Sequence, residues 1–231
     1  MSLLVDNLRR VQERIATAAE RAGRAATEVT LIAVTKYVDA DLTRQVAAAG
    51  CRDLGEARPQ ALLAKAEALA SEDVRWHLIG HLQRNKAKRV LPVASLIHSG
   101  DSLRLLQELN TLAAEQGCIA DVLLEVNISG DASKHGFGPH EVEPALPELA
   151  LLSHLRFRGL MAMSGFHASL DEAAFQFEQV RLLRDRLLPI APANMQLVEL
   201  SMGMSDDFEA AIAAGATLVR VGSALYEGLI A

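Results

Sequence analysis

Cysteine is scarce. Only Cys51 and Cys118 occur in 231 residues, far apart and in no paired motif. That argues against a disulfide framework and fits a reducing cytoplasm. A basic surplus is also missing: 23 lysines and arginines stand against 29 aspartates and glutamates, a net charge of −6. A broad nucleic-acid footprint needs the opposite sign, so no nucleic-acid partner is expected. No apolar run approaches the ~20 residues that span a bilayer, so no membrane partner is expected either. The stretch MSLLVDNLRRVQERI mixes charges into its apolar pattern; it reads as an amphipathic helix and not as a signal peptide. No His-Glu-x-x-His motif is present. His77 and His81 are four apart but fall across a strand end, so no metal site is expected. Linkers, low-complexity tracts and sequence repeats are lacking, and residues 1–231 read as one domain.

What is present is alternation. Half of the chain is apolar, enough for a sizeable core. Short apolar runs, each followed by helical or loop material, fall at 30–35, 51–55, 75–80, 95–99, 121–127, 156–163, 196–200 and 217–222. Asp39 or Asp41 can cap one helix, Pro59 suits a first turn, and Gly50, Gly117 and Gly215 sit just past helix ends. Eight strand–helix units imply parallel strands with crossover connections. The expected fold is α/β, a single (β/α)8 TIM-type barrel with an extra N-terminal helix. An open doubly wound sheet is the rival.

In such barrels the chemistry sits at the C-terminal ends of the strands. The first strand, TLIAVT, runs straight into Lys36. A lysine there is usually a solvated edge residue. Held in a partly dry mouth, its amine attacks an aldehyde to give a Schiff base. The loops after strands seven and eight are where barrels bind phosphate. They supply Ser201 and Ser205 in SMGMSDD, ahead of a helix N-terminus, and Gly222 with Ser223 in VRVGSALY. An amine and a phosphate cradle at one mouth point to pyridoxal 5′-phosphate (PLP). Arg220 lies in the eighth strand between two valines. Pointing inward, it is a buried cation that needs a partner; pointing outward, it lies under a helix.

The chain resembles the PLP homeostasis protein family, relatives of the N-terminal barrel domain of alanine racemase. The resemblance spans nearly the whole length and rests on LIAVTKY, WHLIGHLQRNKAK, LLEVNIS with SKHG, GLMAM, and ELSMGMSDDFEAAIAAGATLVRVGSALY. It implies that Lys36 carries PLP as a Schiff base and that Arg220 faces the pyridine nitrogen. Ser201 or Ser205, with Gly222 and Ser223, would hold the phosphate; analogy with alanine racemase favours Ser205. It further implies a cytoplasmic protein of vitamin B6 homeostasis without catalytic turnover, monomeric, with apo forms of PLP-dependent enzymes as candidate recipients. Two departures stand out. Ala57 replaces the asparagine of the family's Gly-Glu-Asn, where Arg58 or Gln60 can compensate. Tyr226-Glu227 replaces a Phe-Gly after the eighth strand.

Two alternatives differ in class. A PLP-dependent racemase needs a base on each face of the cofactor, and the chain has only Tyr37 and Tyr226 as tyrosines. Strand alternation is expected to turn Tyr37 away from Lys36. A Schiff-base aldolase on a phosphorylated sugar shares the lysine and the phosphate site. Lesser motifs are RNKAKR at 84–89, read as a solvated helix face, and Lys134 in SKHGFG, a surface lysine that can take PLP by exchange.

Overall fold

A computed structural model describes residues 2–131 and 133–230. Eight strands run β1 (Thr30–Val34), β2 (Asp53–Glu56), β3 (Arg75–Leu78), β4 (Ala94–Gly100), β5 (Ala120–Val126), β6 (Leu155–Ala162), β7 (Met195–Ser201) and β8 (Leu218–Val221). All pair in parallel, each with the next. β8 returns to β1, with Thr30 opposite Leu218 and Ala33 opposite Val221. That closure excludes the open-sheet rival.

Seven helices return the chain between strands: α2 (Ala40–Ala48), α3 (Pro59–Ala68), α4 (Arg84–Val90), α5 (Leu103–Glu115), α6 (Val142–Ala150), α7 (Leu170–Leu187) and α8 (Phe208–Ala213). Asp39, and not Asp41, caps α2, accepting the Leu42 amide at 2.8 Å. The basic run lies on α4, which buries Ala87 and Val90 and leaves Lys88 and Arg89 exposed. The extra helix, α1 (Leu3–Arg21), buries Leu4, Leu8, Val11 and Ile15, one stripe at helical spacing. Asn7 ties it to the chain's end by donating to the carbonyls of Leu225 (3.1 Å) and Glu227 (2.9 Å). This shapes the terminal loop where the sequence departs from the family. Among the described residues no helix is long and apolar enough to cross a membrane.

The larger apolar core lies between barrel and helices. Inside the barrel, Ile32, Leu96, Leu123, Met161 and Leu218 form a small cluster of their own. Each such side chain contributes about 1.5–3 kcal/mol by leaving water. Polar groups, Asp53, His77, His98, Glu125, Ser201 and Arg220, are buried there as well. Close packing of β6 on β7 requires Gly159, where a Cβ would sit 1.8 Å from the Glu199 carbonyl oxygen.

Candidate functional site

β1 ends at Val34, and Lys36 lies in the turn that follows. That turn is anchored from beneath. Thr35 donates its hydroxyl to Glu56 Oε1 at 3.0 Å, and its carbonyl accepts from Lys65 Nζ at 2.7 Å. Lys65 also forms an ion pair with the fully buried Glu56. Lys36 itself is half-buried, its Nζ 4.9 Å from the Tyr37 ring centroid. The expected divergence of Tyr37 from Lys36 is therefore corrected. Alternation holds only within a strand, and the strand has ended two residues earlier. Arg58 reaches the Lys36 carbonyl at 3.5 Å, whereas Gln60 is exposed.

The register of β1 with β8 sets Lys36 beside the eighth turn, because Ala33 faces Val221 at the end of the paired strands. A Cβ on Gly222 would lie 3.4 Å from Val34 Cβ, so the two chain segments touch there. Ser205 reaches the same turn. Its Oγ accepts the amides of Gly222 (3.2 Å) and Ala224 (3.5 Å). A hydroxyl and two amides thus gather in one turn, a donor set suited to a phosphate. Ser223 is exposed beside them. Ser201 is elsewhere: fully buried, it bonds inward to His98 and Arg220. The two serines left open by the sequence therefore have separate surroundings.

One expectation is overturned. The helix after SMGMSDD contributes little dipole, because α8 is six residues long. Its entry is also occupied by a carboxylate: Asp207 accepts the Met204 amide at 2.6 Å and the Ser164 hydroxyl at 2.7 Å.

Arg220 points into the barrel, level with Ile32, and is 4 % exposed. Its Nη1 donates to Ser201 O (2.7 Å) and Ser201 Oγ (2.5 Å), and its Nη2 to Ala162 O (2.9 Å). Burial lowers its pKa to about 10, against the opposing pull of Asp207 and Glu125. Glu125, on β5, is pushed up to about 7 by burial and by Asp101. The guanidinium is thus a fixed, dry cation beneath the rim that carries Lys36 and Ser205. An amine, an oxyanion turn and a buried cation on three neighbouring strand ends fit a phosphorylated aldehyde with a ring nitrogen.

Around the mouth, Lys134 is engaged rather than free, its Nζ donating to Ser164 O at 2.5 Å. His81 Nδ1 bonds Asp101 Oδ2 at 2.8 Å, and His135 stacks on His81 with the ring planes 16° apart. These three could gather near one ion. The contacts present are the His81–Asp101 hydrogen bond and the stack of the two imidazoles. Tyr226 is buried, its hydroxyl has no hydrogen-bond partner among the described residues, and it serves packing. His77, His98, Asp53 and Glu125 were not anticipated as site residues. The available signal was a polar residue among strand aliphatics, as in WHL and LIHS.

The family model for the alanine racemase N-terminal domain matches residues 7–229. The chain is 42 % identical to the pyridoxal phosphate homeostasis protein of Pseudomonas aeruginosa, over 98 % of this chain and 96 % of that one. It is 36 % identical to the protein of the same name from Escherichia coli K12, over 98 % and 97 %. The structure of PipY from Synechococcus elongatus with PLP bound superposes with a TM-score of 0.82 at 36 % identity, covering 94 % of this chain and 99 % of that one. Alanine racemase of Clostridium difficile shares the fold alone, at 19 % identity and a TM-score of 0.72, and this chain covers 56 % of it. With the family model matched along nearly its whole length, the chain belongs to the pyridoxal phosphate homeostasis protein family, on the barrel fold of the alanine racemase N-terminal domain.

Proposed function

We propose that this chain binds PLP in intracellular vitamin B6 homeostasis, holding it covalently on Lys36 without catalytic turnover. Bound there, PLP supplies an aldehyde for an amine and a conjugated ring that draws electrons. Lys36 would hold it through Nζ, an amine able to condense with an aldehyde carbon with loss of water. Ser205 with the Gly222–Ala224 turn takes the phosphate, and Ser223 stands at its exposed side. Arg220 faces the ring nitrogen; a cation there disfavours protonation of that nitrogen and weakens the ring as an electron sink. Ser201 acts through Arg220 and not on the phosphate.

The observation that carries this reading is the pairing of Ala33 with Val221, which brings the Lys36 turn and the Gly222 turn to one rim above Arg220. Relatives named for PLP homeostasis, and a PLP-bound structure among them, support the same ligand. The absence of turnover is inferred from the bases on offer. Tyr37 lies against the Lys36 amine, and Tyr226 is buried. Neither presents a base on the face opposite Lys36, as a racemase requires. The chain is further read as a single-domain, cytoplasmic monomer that passes PLP to apo-enzymes. The test is the visible absorbance of PLP-loaded protein. Lys36→Ala is expected to remove it while circular dichroism and thermal melting stay native. Retained absorbance in the folded variant contradicts the assignment.

A further inference from the structure

We propose that Asp53, His77, His98 and Ser201 form a relay through the barrel that positions Arg220 from the opposite rim and so tunes the ring nitrogen of bound PLP. The proposal rests on the reading that Arg220 faces that nitrogen; the relay itself stands on geometry alone. From Arg220 Nη1 the chain of contacts runs to Ser201 Oγ (2.5 Å), His98 Nδ1 (2.9 Å), His98 Nε2 to His77 Nδ1 (3.0 Å), and His77 Nε2 to Asp53 Oδ1 (3.0 Å). It starts on β8, crosses β7, β4 and β3, and ends at the first residue of β2, on the N-terminal rim.

The ends fix the direction of every link. A guanidinium has only donors, and an ionised carboxylate has only acceptors. Asp53 is ionised: its bonds to His77 and Arg75 overcome burial and hold its pKa down at about 2. Between those ends each neutral group donates once and accepts once. Arg220 therefore donates to Ser201, the Ser201 hydroxyl to His98 Nδ1, His98 Nε2–H to His77 Nδ1, and His77 Nε2–H to Asp53. With both imidazoles neutral, this order places each of their protons on Nε2. Complete burial, with Arg220 nearby, keeps His98 well below the usual histidine range, as a neutral His98 requires. A positive end and a negative end polarise the links between them in the same sense.

Stability alone does not account for such a thread. Barrel interiors are ordinarily filled by branched aliphatics, and Ile32, Leu96 and Leu123 do so here. Nor does Asp53 require His77, because Arg75 already holds both of its oxygens, at 2.7 and 2.6 Å. The Asp53–Arg75 pair lines an external cleft of about 390 Å³, and the Arg75 side chain is 60 % exposed. One end of the relay therefore lies against a solvent-exposed arginine while the other lies under the cofactor rim. When Asp53 loses its charge, the histidine links are no longer held in one sense, and Ser201 Oγ can accept from His98 Nδ1–H as well as from Arg220, which weakens its hold on the guanidinium.

Two measurements test this on the full chain. The first uses the PLP-free protein: two-bond proton–nitrogen spectra of ¹⁵N-labelled histidine are expected to show His77 and His98 both protonated on Nε2 at neutral pH. A proton on His98 Nδ1 overturns the relay. The second loads PLP onto Asp53→Asn, which keeps an acceptor for His77 but removes the charge, and onto Ser201→Ala. Both variants are expected to bind one PLP per chain with the ratio of its absorbance bands shifted from that of the native protein. Native band ratios in both variants, at full occupancy and with native melting, overturn the proposal. If either variant melts early, the histidine spectra still decide. Failure of the PLP reading is separate: it shows as retained absorbance in Lys36→Ala and leaves the histidine spectra unchanged.

Discussion

Replacing Lys65 with methionine is expected to damage the lysine turn from below. Lys65 is buried and pairs with Glu56, which is fully buried; among the described residues Glu56 Oε2 has no hydrogen-bond partner. Methionine keeps most of the apolar stem and so leaves little cavity. The dominant loss is the cation. Breaking one side of a buried ion pair costs about 3–5 kcal/mol, because the remaining charge stays desolvated. The Thr35 carbonyl also loses its 2.7 Å donor, which adds about 1 kcal/mol. For a chain of this size 1 kcal/mol moves Tm by roughly 2–4 °C, so the midpoint should fall by about 8 °C or more. Urea unfolding followed by circular dichroism reads this as a lower midpoint at unchanged slope. Adding Glu56→Gln removes the stranded charge and should restore more than half of the loss. A loss below about 1 kcal/mol, or a double variant no more stable than the single one, refutes the reasoning.

Glu125 predicts a pH effect of definite sign. Its pKa is raised from 4.5 to about 7 in the folded chain, so the stability it supports is complete below pH ~4 and lost as pH rises through 7. Glu125→Gln should therefore stabilise the protein by up to about 3 kcal/mol at pH 8 and by nothing near pH 4; equal effects at both pH values count against it. Asp53 has the opposite sign. Held at about 2, it adds about 2 kcal/mol that is present above pH ~4 and disappears towards pH 2. The stability gap between native protein and Asp53→Asn should close over that window, and a constant gap in acid melts is the contrary result. Arg220→Glu is expected to alter the spectrum of bound PLP more than the affinity for inorganic phosphate, measured by calorimetry; an unchanged spectrum means that the side chain does not act on the ring.

Much of the fold was legible because barrels repeat a local pattern. Each expected strand overlaps an observed one, since β-branched and aliphatic runs bounded by glycine, proline or acidic caps need no long-range information. The positions of the Gly222 turn and of Lys36 were legible for the same reason: strand ends define the rim. The inward direction of Arg220 was not, because alternation gives two faces without saying which one is interior. Closure supplies that answer, through the level pairing of Arg220 with Ile32. Tyr37 was misjudged by extending alternation beyond Val34, and the α8 dipole by assuming a longer helix. The relay was out of reach for another reason. Ser201 meets His98 across 103 residues, a contact fixed by barrel curvature and not by spacing. His77 was weighed only against His81, its sequence neighbour, whereas its partners lie on the flanking strands β2 and β4.

Borohydride reduction of PLP-loaded protein, followed by proteolysis and mass spectrometry, tests the central claim most directly. A pyridoxyl mass on the peptide that carries Lys36, and on no other lysine, is the predicted result. An adduct confined to Lys134 or Lys65, or none on a protein that binds PLP stoichiometrically, contradicts it.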